Sequence, residues 1–317
     1  MRILFVKTSS LGDVIHHCPA VSDAARHVRG ARIDWVVEEA FADVPRMHRA
    51  VHRVIPVALR RWRRAPLRRS VRDEFAEFRR VLAEERYDRI VDTQGLLKSA
   101  LIARLARGPR HGYDRGSARE GVASRLYAGR HAVPRGLHAV ERNRRLSAAA
   151  LDYPAPHSAC DYGLRTGPDA PVAVDGPYCM LLTMSSRSDK LWAGERWVAL
   201  GEALVHRGLR CVLPWGSEAE RARAAGIASR LDGAVVLPAL GIAQQAAQMA
   251  QAVAVVGVDT GLTHLAVALG RPTVGIYTST EPGLTGLHGG AQVRNTGGAH
   301  AAPSVEAVLS ALDAVSR

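Results

Sequence analysis

Short apolar runs alternate along the chain with longer stretches whose apolar positions recur every three or four residues. The first run, Arg2-Ile3-Leu4-Phe5-Val6, predicts a buried strand, and Val14, Ile15, Ala20, Val21 and Ala24 behind it keep helical spacing. Strands are expected at 33–37, 54–57 and 87–92, and helices over 73–85, 96–105 and 137–151. Residues 107–136 follow neither period and read as a basic loop. Residues 152–176 are rich in Pro, Gly and Asp and read as an interdomain linker. The alternation then restarts, with strands at 178–183, 211–215, 235–237, 253–258 and 273–278 and helices at 195–206, 242–253 and from Pro303 onward. The glycine-rich stretch 279–302 reads as a mobile loop over a ligand cleft.

Strands and helices in strict alternation predict parallel sheets covered by helices, an α/β architecture. A chain of 317 residues is long for one core and suits two Rossmann-like domains, expected at 1–160 and 161–317, with the last helix able to pack back on the first. The dinucleotide fingerprint G-x-G-x-x-G is absent after the first strand, which argues against an NAD enzyme. Cys18, Cys160, Cys179 and Cys211 lack metal-ligand spacing and read as reduced thiols of a cytoplasmic protein. The chain enters its first strand directly, without a signal peptide, and no apolar run is long enough to span a bilayer.

The formal net charge of +13 points to anionic partners, whether nucleic acid, acidic lipid or a phosphorylated substrate. An aromatic content of 5%, with no helix-turn-helix, RRM or zinc signature, argues against nucleic acid. Lys7, Lys98 and Lys190 are the only lysines, and each sits in a polar loop or at a helix start. A lysine is a compact charge suited to phosphate, so positions that keep one where arginine dominates hint at specific roles. Arg60, Arg61, Arg63 and Arg64 open a dense basic segment, Arg60 to Arg69, that no acid interrupts. It reads either as a solvated face or as a contact for a phosphate-rich acceptor or an anionic membrane.

Ligands of open α/β sheets bind beyond the carboxyl ends of the strands, so the loops there carry the candidate chemistry. Lys7-Thr8-Ser9-Ser10-Leu11-Gly12-Asp13 follows the first strand. Asp13 either complements a helix dipole or serves as a general base, and the residues alone leave both readings open. Gln94, Gly95 and Lys98 should line the same edge. In the second half, Ser185, Ser186 and Lys190 form a potential phosphate cradle, which competes with a plain capped loop. Glu220, just after a strand, either opens a helix or binds ribose hydroxyls. Val258-Asp259-Thr260-Gly261-Leu262-Thr263-His264 joins a buried strand to a helix whose amides favour an anion; a helix cap and a buried histidine are the simpler account.

Taken together, the segments 7–16, 94–99, 188–192, 213–216 and 258–264 resemble the heptosyltransferases of glycosyltransferase family 9 along essentially the whole chain. Ser188-Asp189 stands before Lys190 where the sister branch, heptosyltransferase II, usually has a Gly-Pro-containing segment, which tilts the reading to the first branch. The resemblance implies a glycosyltransferase B fold, two Rossmann-like domains with parallel sheets facing across a central cleft. It implies ADP-L-glycero-β-D-manno-heptose as donor on the C-terminal domain and the Kdo of Kdo2-lipid A as acceptor on the N-terminal domain. Asp13 would be the catalytic base of an inverting transfer in lipopolysaccharide inner-core synthesis. Lys190 would meet charge on the leaving diphosphate, with Ser185, Ser186, Glu220, Asp259, Thr260, Gly261 and His264 binding donor. Ser10, Gly12, Arg60, Arg61, Arg63, Arg64, Gln94 and Lys98 would serve the acceptor. No metal or other cofactor is implied, and the enzyme would lie peripherally on the anionic cytoplasmic face of the inner membrane. A UDP-sugar transferase or epimerase on the same scaffold and a basic nucleic-acid-binding protein are the remaining alternatives.

Overall fold

The computed structural model describes residues 1–167 and 172–316, which fall into two units, Met1–Leu164 and Arg165–Arg317. The first holds six strands: β1 (Arg2–Val6), β2 (Arg32–Glu38), β3 (Val51–Val57), β4 (Arg89–Asp92), β5 (Arg110–Tyr113) and β6 (Gly129–His131). They form one parallel sheet in the order β3-β2-β1-β4-β5-β6. Central strands of such a sheet are covered on both faces, which is why β1 is an unbroken apolar run with Ile3, Leu4, Phe5 and Val6 fully buried. One face packs Leu4, Val6 and Ile90 against Phe78 and Leu82 of the helix Arg69–Glu84 and Ile102 and Ala103 of the helix Leu97–Leu105.

The second unit repeats the plan with β7 (Tyr178–Leu182), β8 (Arg210–Leu213), β9 (Val235–Val236), β10 (Ala254–Val258), β11 (Thr273–Tyr277) and β12 (Val293–Gly297). Their order is β12-β11-β10-β7-β8-β9, again parallel throughout. Its core joins Leu181, Val256 and Ile276 to Trp192, Trp197 and Leu204. The final helix, Val305–Val315, inserts Val308, Leu312 and Val315 into that same core. Among the described residues, no helix is long and apolar enough to cross a membrane.

Three features depart from the sequence reading. β5 and β6 lie inside 107–136, and β12 with the helix Pro282–Thr285 lies inside 279–302, both expected to be loops. These strands read Arg-His-Gly-Tyr, Gly-Arg-His and Val-Arg-Asn-Thr-Gly, too short and polar to show a period; backbone pairing with β4 and β11 makes them strands. The first unit also extends to Leu164, past the expected 160. Leu164 bridges His48, and Arg49 N–H donates to Gly163 O at 2.9 Å, which straps this stretch to the first sheet.

A buried ion pair ties helix Cys18–His27 to helix Ala139–Ala150: Arg144 Nε donates to Asp23 Oδ2 at 2.7 Å, with both side chains 2% exposed. Arg144 also donates to Ser158 O at 3.1 Å. Asp23→Ala removes the buried one of two carboxylates on Arg144, leaving Glu141 at 3.0 Å, and breaking a buried pair in this way costs up to about 3–5 kcal/mol. A urea midpoint lowered to that extent is expected; a shift no larger than that of an exposed substitution would contradict this reading.

Candidate functional site

At the carboxyl end of β1 the chain turns into the short helix Leu11–Ile15, with Ser10 as its N-cap. Asp13, at the third helical position, reaches back so that Oδ2 accepts from Ser10 N–H at 3.0 Å. This bond at the helix start occupies only one oxygen. Arg119 Nη2 donates to the other, Oδ1, at 2.8 Å, and the side chain keeps 15% exposure. Burial pushes the Asp13 carboxyl up, but Lys7, Arg119 and the Ser10 amide outweigh it and hold the group below the usual carboxylate range.

Lys7 is 4% exposed and donates from Nζ to Thr93 O at 3.0 Å. Burial lowers its ammonium to about 8, against the opposing pull of Asp13. The loop around it is bolted down: Trp35 Nε1–H donates to Lys7 O at 3.1 Å, and Lys7 N–H to Val36 O at 3.2 Å. Gln94, expected on the acceptor's side, is 2% exposed and staples this loop instead. Its Oε1 accepts from Thr8 and Ser9 N–H at 3.1 and 3.3 Å, and its Nε2 donates to Ser9 O at 2.7 Å. Fully buried Asp92 in turn fixes Gln94, accepting from Gln94 N–H at 2.8 Å, Ser99 Oγ at 2.8 Å and Tyr127 OH at 2.6 Å. Gly95 has φ of +69°, the left-handed conformation this tight turn needs. Lys98 is exposed, its Nζ 3.5 Å from Ser9 Oγ, so it stands beside the Asp13 loop as expected; Gly12 lies in that helix's first turn.

The basic segment is less free than its sequence suggests. Arg61 forks onto Glu39 at 3.1 and 3.0 Å and reaches Glu74 at 2.9 Å, and Trp62 Nε1–H donates to Glu74 at 2.7 Å. Arg60 lies over the Phe41 ring at 4.9 Å. The acids that answer these charges come from elsewhere in the chain, where no local pattern reveals them. Arg63 and Arg64 are exposed.

In the second unit the same kind of edge carries a second cluster. Lys190, in the turn Ser188–Lys190 after β7, donates to Asp259 Oδ2 at 2.6 Å. Thr280 Oγ1 donates to that oxygen at 2.8 Å, His264 Nε2 lies 3.9 Å from Oδ1, and Ser185 Oγ donates to Asp259 O at 3.4 Å. Burial works to raise the Asp259 carboxyl, yet His264, Lys190 and Thr280 hold it far below its usual range. Thr260 stands at the N-cap position of the helix Gly261–Ala268 without a side-chain capping bond, Thr263 N–H donates to Thr260 O at 3.1 Å, and a helix start of this kind favours an anion. Thr263 Oγ1 donates back to Val258 O at 2.7 Å, and a Cβ on Gly257 would sit 2.3 Å from that hydroxyl, so only glycine fits beneath the turn. Ser186 is exposed in the loop after β7, and Ser185 beside it is half-buried. Glu220 accepts from Gly216 N–H at 2.7 Å, closing the turn after β8.

Sequence reasoning left Lys7, Arg119 and Thr280 off the site. Lys7 carried a signal as one of three lysines. Arg119 and Thr280 lie in stretches read as loops, and only folding brings them to Asp13 and Asp259.

Asp259 supplies a test through pH. Its folded pKa lies below the unfolded value, so its contribution to stability is fully present above about pH 4 and fades as pH falls through the folded value. Asp259→Asn should therefore lower stability by about 1–3 kcal/mol at neutral pH. In urea titrations, that gap to wild type should hold from pH 7 to pH 5 and narrow below about pH 4. A gap independent of pH would contradict the assignment.

Residues 75–312 match the family model described as glycosyltransferase family 9 (heptosyltransferase). The chain is similar to lipopolysaccharide heptosyltransferase 1 of Pseudomonas aeruginosa, with 49% identity over 294 residues, covering 92% of this chain and 83% of that protein. Its structure resembles that of the E. coli heptosyltransferase WaaC with ADP, at TM-score 0.92 and 40% identity over 99% of both chains. The WaaC structure with ADP-2-deoxy-2-fluoro heptose gives TM-score 0.89 over the same share of both chains. The chain belongs to glycosyltransferase family 9, the heptosyltransferases.

Proposed function

We propose that this enzyme moves L-glycero-D-manno-heptose from ADP-heptose to the Kdo of Kdo2-lipid A, with inversion, in lipopolysaccharide inner-core synthesis. The observation that carries the reading is Asp13: a mostly buried carboxylate, held ionised by Lys7 and Arg119 at the end of a sheet. In the proposed step Asp13 takes the proton of a Kdo hydroxyl. The hydroxyl oxygen bonds to the anomeric carbon of heptose, and the bond from that carbon to the diphosphate oxygen breaks. ADP leaves with the electron pair. Lys190 and the amides opening the helix Gly261–Ala268 suit the charge on that diphosphate, while Asp259, braced by His264 and Thr280, aims the lysine. Ser185, Ser186 and Glu220 would complete the donor contacts. With lysine and amides answering the diphosphate, the reaction is proposed to need no metal.

On the acceptor side, Arg119 keeps donors beyond the one on Asp13 and suits the carboxylate of Kdo. Exposed Arg63 and Arg64 suit phosphate on the lipid, each worth roughly 1 kcal/mol near an anionic surface. A lipid-borne acceptor places the enzyme peripherally at the cytoplasmic face of the inner membrane.

The test is product formation from ADP-heptose and a Kdo-terminated acceptor in the presence of EDTA, with the linkage determined. Wild type should turn over unimpaired by the chelator. Asp13→Ala should lose about a hundred-fold or more in turnover while still binding donor. Replacing Arg63 and Arg64 by Ser should raise the Michaelis constant of the acceptor alone. Near-normal turnover in Asp13→Ala would remove it as the base.

A further inference from the structure

The helix Leu97–Leu105 carries apolar residues on two sides, and among the described residues only the inner side is covered. Its inner side, with Ser99, Ala100, Ile102 and Ala103, is buried. Its outer side carries Leu97 and Leu101, 39% and 49% exposed, one turn apart on the same face. Ala100 packs with Ala123, Tyr127 and Leu126, which fixes the short helical turn Gly121–Leu126 beside this helix. That turn presents Val122, also 49% exposed. Leu97, Leu101 and Val122 are thus exposed large apolar residues on two elements locked together.

Charge identifies what covers them. The exposed charged residues on and next to these elements are Lys98, Arg104, Arg119 and Arg125, with Glu120 among them. Glu120 accepts Leu97 N–H at 2.7 Å and keeps its charge, and Arg119 is paired with Asp13, but Lys98, Arg104 and Arg125 still outnumber that one acid. The surface is therefore apolar at its centre and cationic around it, the pattern of an element lying in the interface of an anionic bilayer. It also begins at the proposed base: Lys98 stands at Ser9, Glu120 N–H donates to Gly95 O at 3.0 Å, and neighbouring Arg119 holds Asp13.

We propose that the outer side of the helix Leu97–Leu105, together with Val122, is the face by which the enzyme docks on an anionic lipid bilayer, bringing Asp13 to the membrane surface. The proposal deepens the functional reading above, since it gives a lipid-borne acceptor a way to the base without leaving its leaflet.

The experiment is flotation of the full chain, without substrates, on vesicles of phosphatidylglycerol and phosphatidylethanolamine, compared with vesicles of phosphatidylcholine. Wild type should float with the anionic vesicles and be released by salt. The double variant Leu101→Glu/Val122→Glu should bind about ten-fold less. Both positions are exposed, and its turnover on a water-soluble Kdo acceptor should match wild type. Equal flotation of variant and wild type overturns the proposal, as does a wild type that ignores anionic vesicles. Loss of turnover on the soluble acceptor overturns it too, because the patch would then belong to the catalytic site. Self-association of wild type through these residues, in place of vesicle binding, would assign the face to a second copy. Because flotation uses no substrate, a failure of the heptosyl reading shows only in the soluble assay and leaves the vesicle result standing.

Discussion

One carboxylate has to stay ionised in a place that is mostly dry. Asp13 is 15% exposed, and burial alone would push its proton affinity up. Lys7, Arg119 and the Ser10 amide reverse that push. Much of the first unit's architecture serves those groups. β1 delivers Lys7, the turn after β4 supplies Thr93 O as its partner, and Gln94 staples the intervening loop with three hydrogen bonds. Asp92, buried beneath them, fixes Gln94 and so acts on the site through it. The arrangement costs Lys7 its ordinary basicity, since the same burial lowers its ammonium to about 8.

The second unit uses the same materials with the roles exchanged. There Asp259 is the buttress and Lys190 the group presented. His264 and Thr280 secure the acid, which holds the lysine's ammonium in place beside the opening of the helix Gly261–Ala268. In the proposed reaction a proton is drawn off on one sheet and a negative charge is received on the other. Each sheet meets its task with an acid–base cluster at the carboxyl edge of its strands, where parallel sheets leave loops and helix starts together.

The central parallel strands were legible because burial on both faces forces continuous apolar runs, as in β1, β7 and β10. β5, β6 and β12 were not, because polar strands of this length carry no period and take their conformation from a neighbour. The site divides the same way. Asp13, Lys190 and Asp259 stand in the short turns and helix starts that follow recognisable strands, so their positions could be read. That Gln94 braces a loop, that Arg61 is engaged by Glu39 and Glu74, and that Arg119 meets Asp13 all depend on partners distant in sequence. The run Arg60 to Arg69 contains no acid, which is why the pairing of Arg61 in space was invisible.

The account stands or falls on Asp13 being kept anionic by its basic neighbours. The most direct measurement is the pH dependence of kcat/KM for heptose transfer in wild type, Lys7→Met and Arg119→Gln. It predicts an acid limb below the usual carboxylate range in wild type that moves to higher pH in either variant. An acid limb that stays in place when both neighbours have been removed would contradict it.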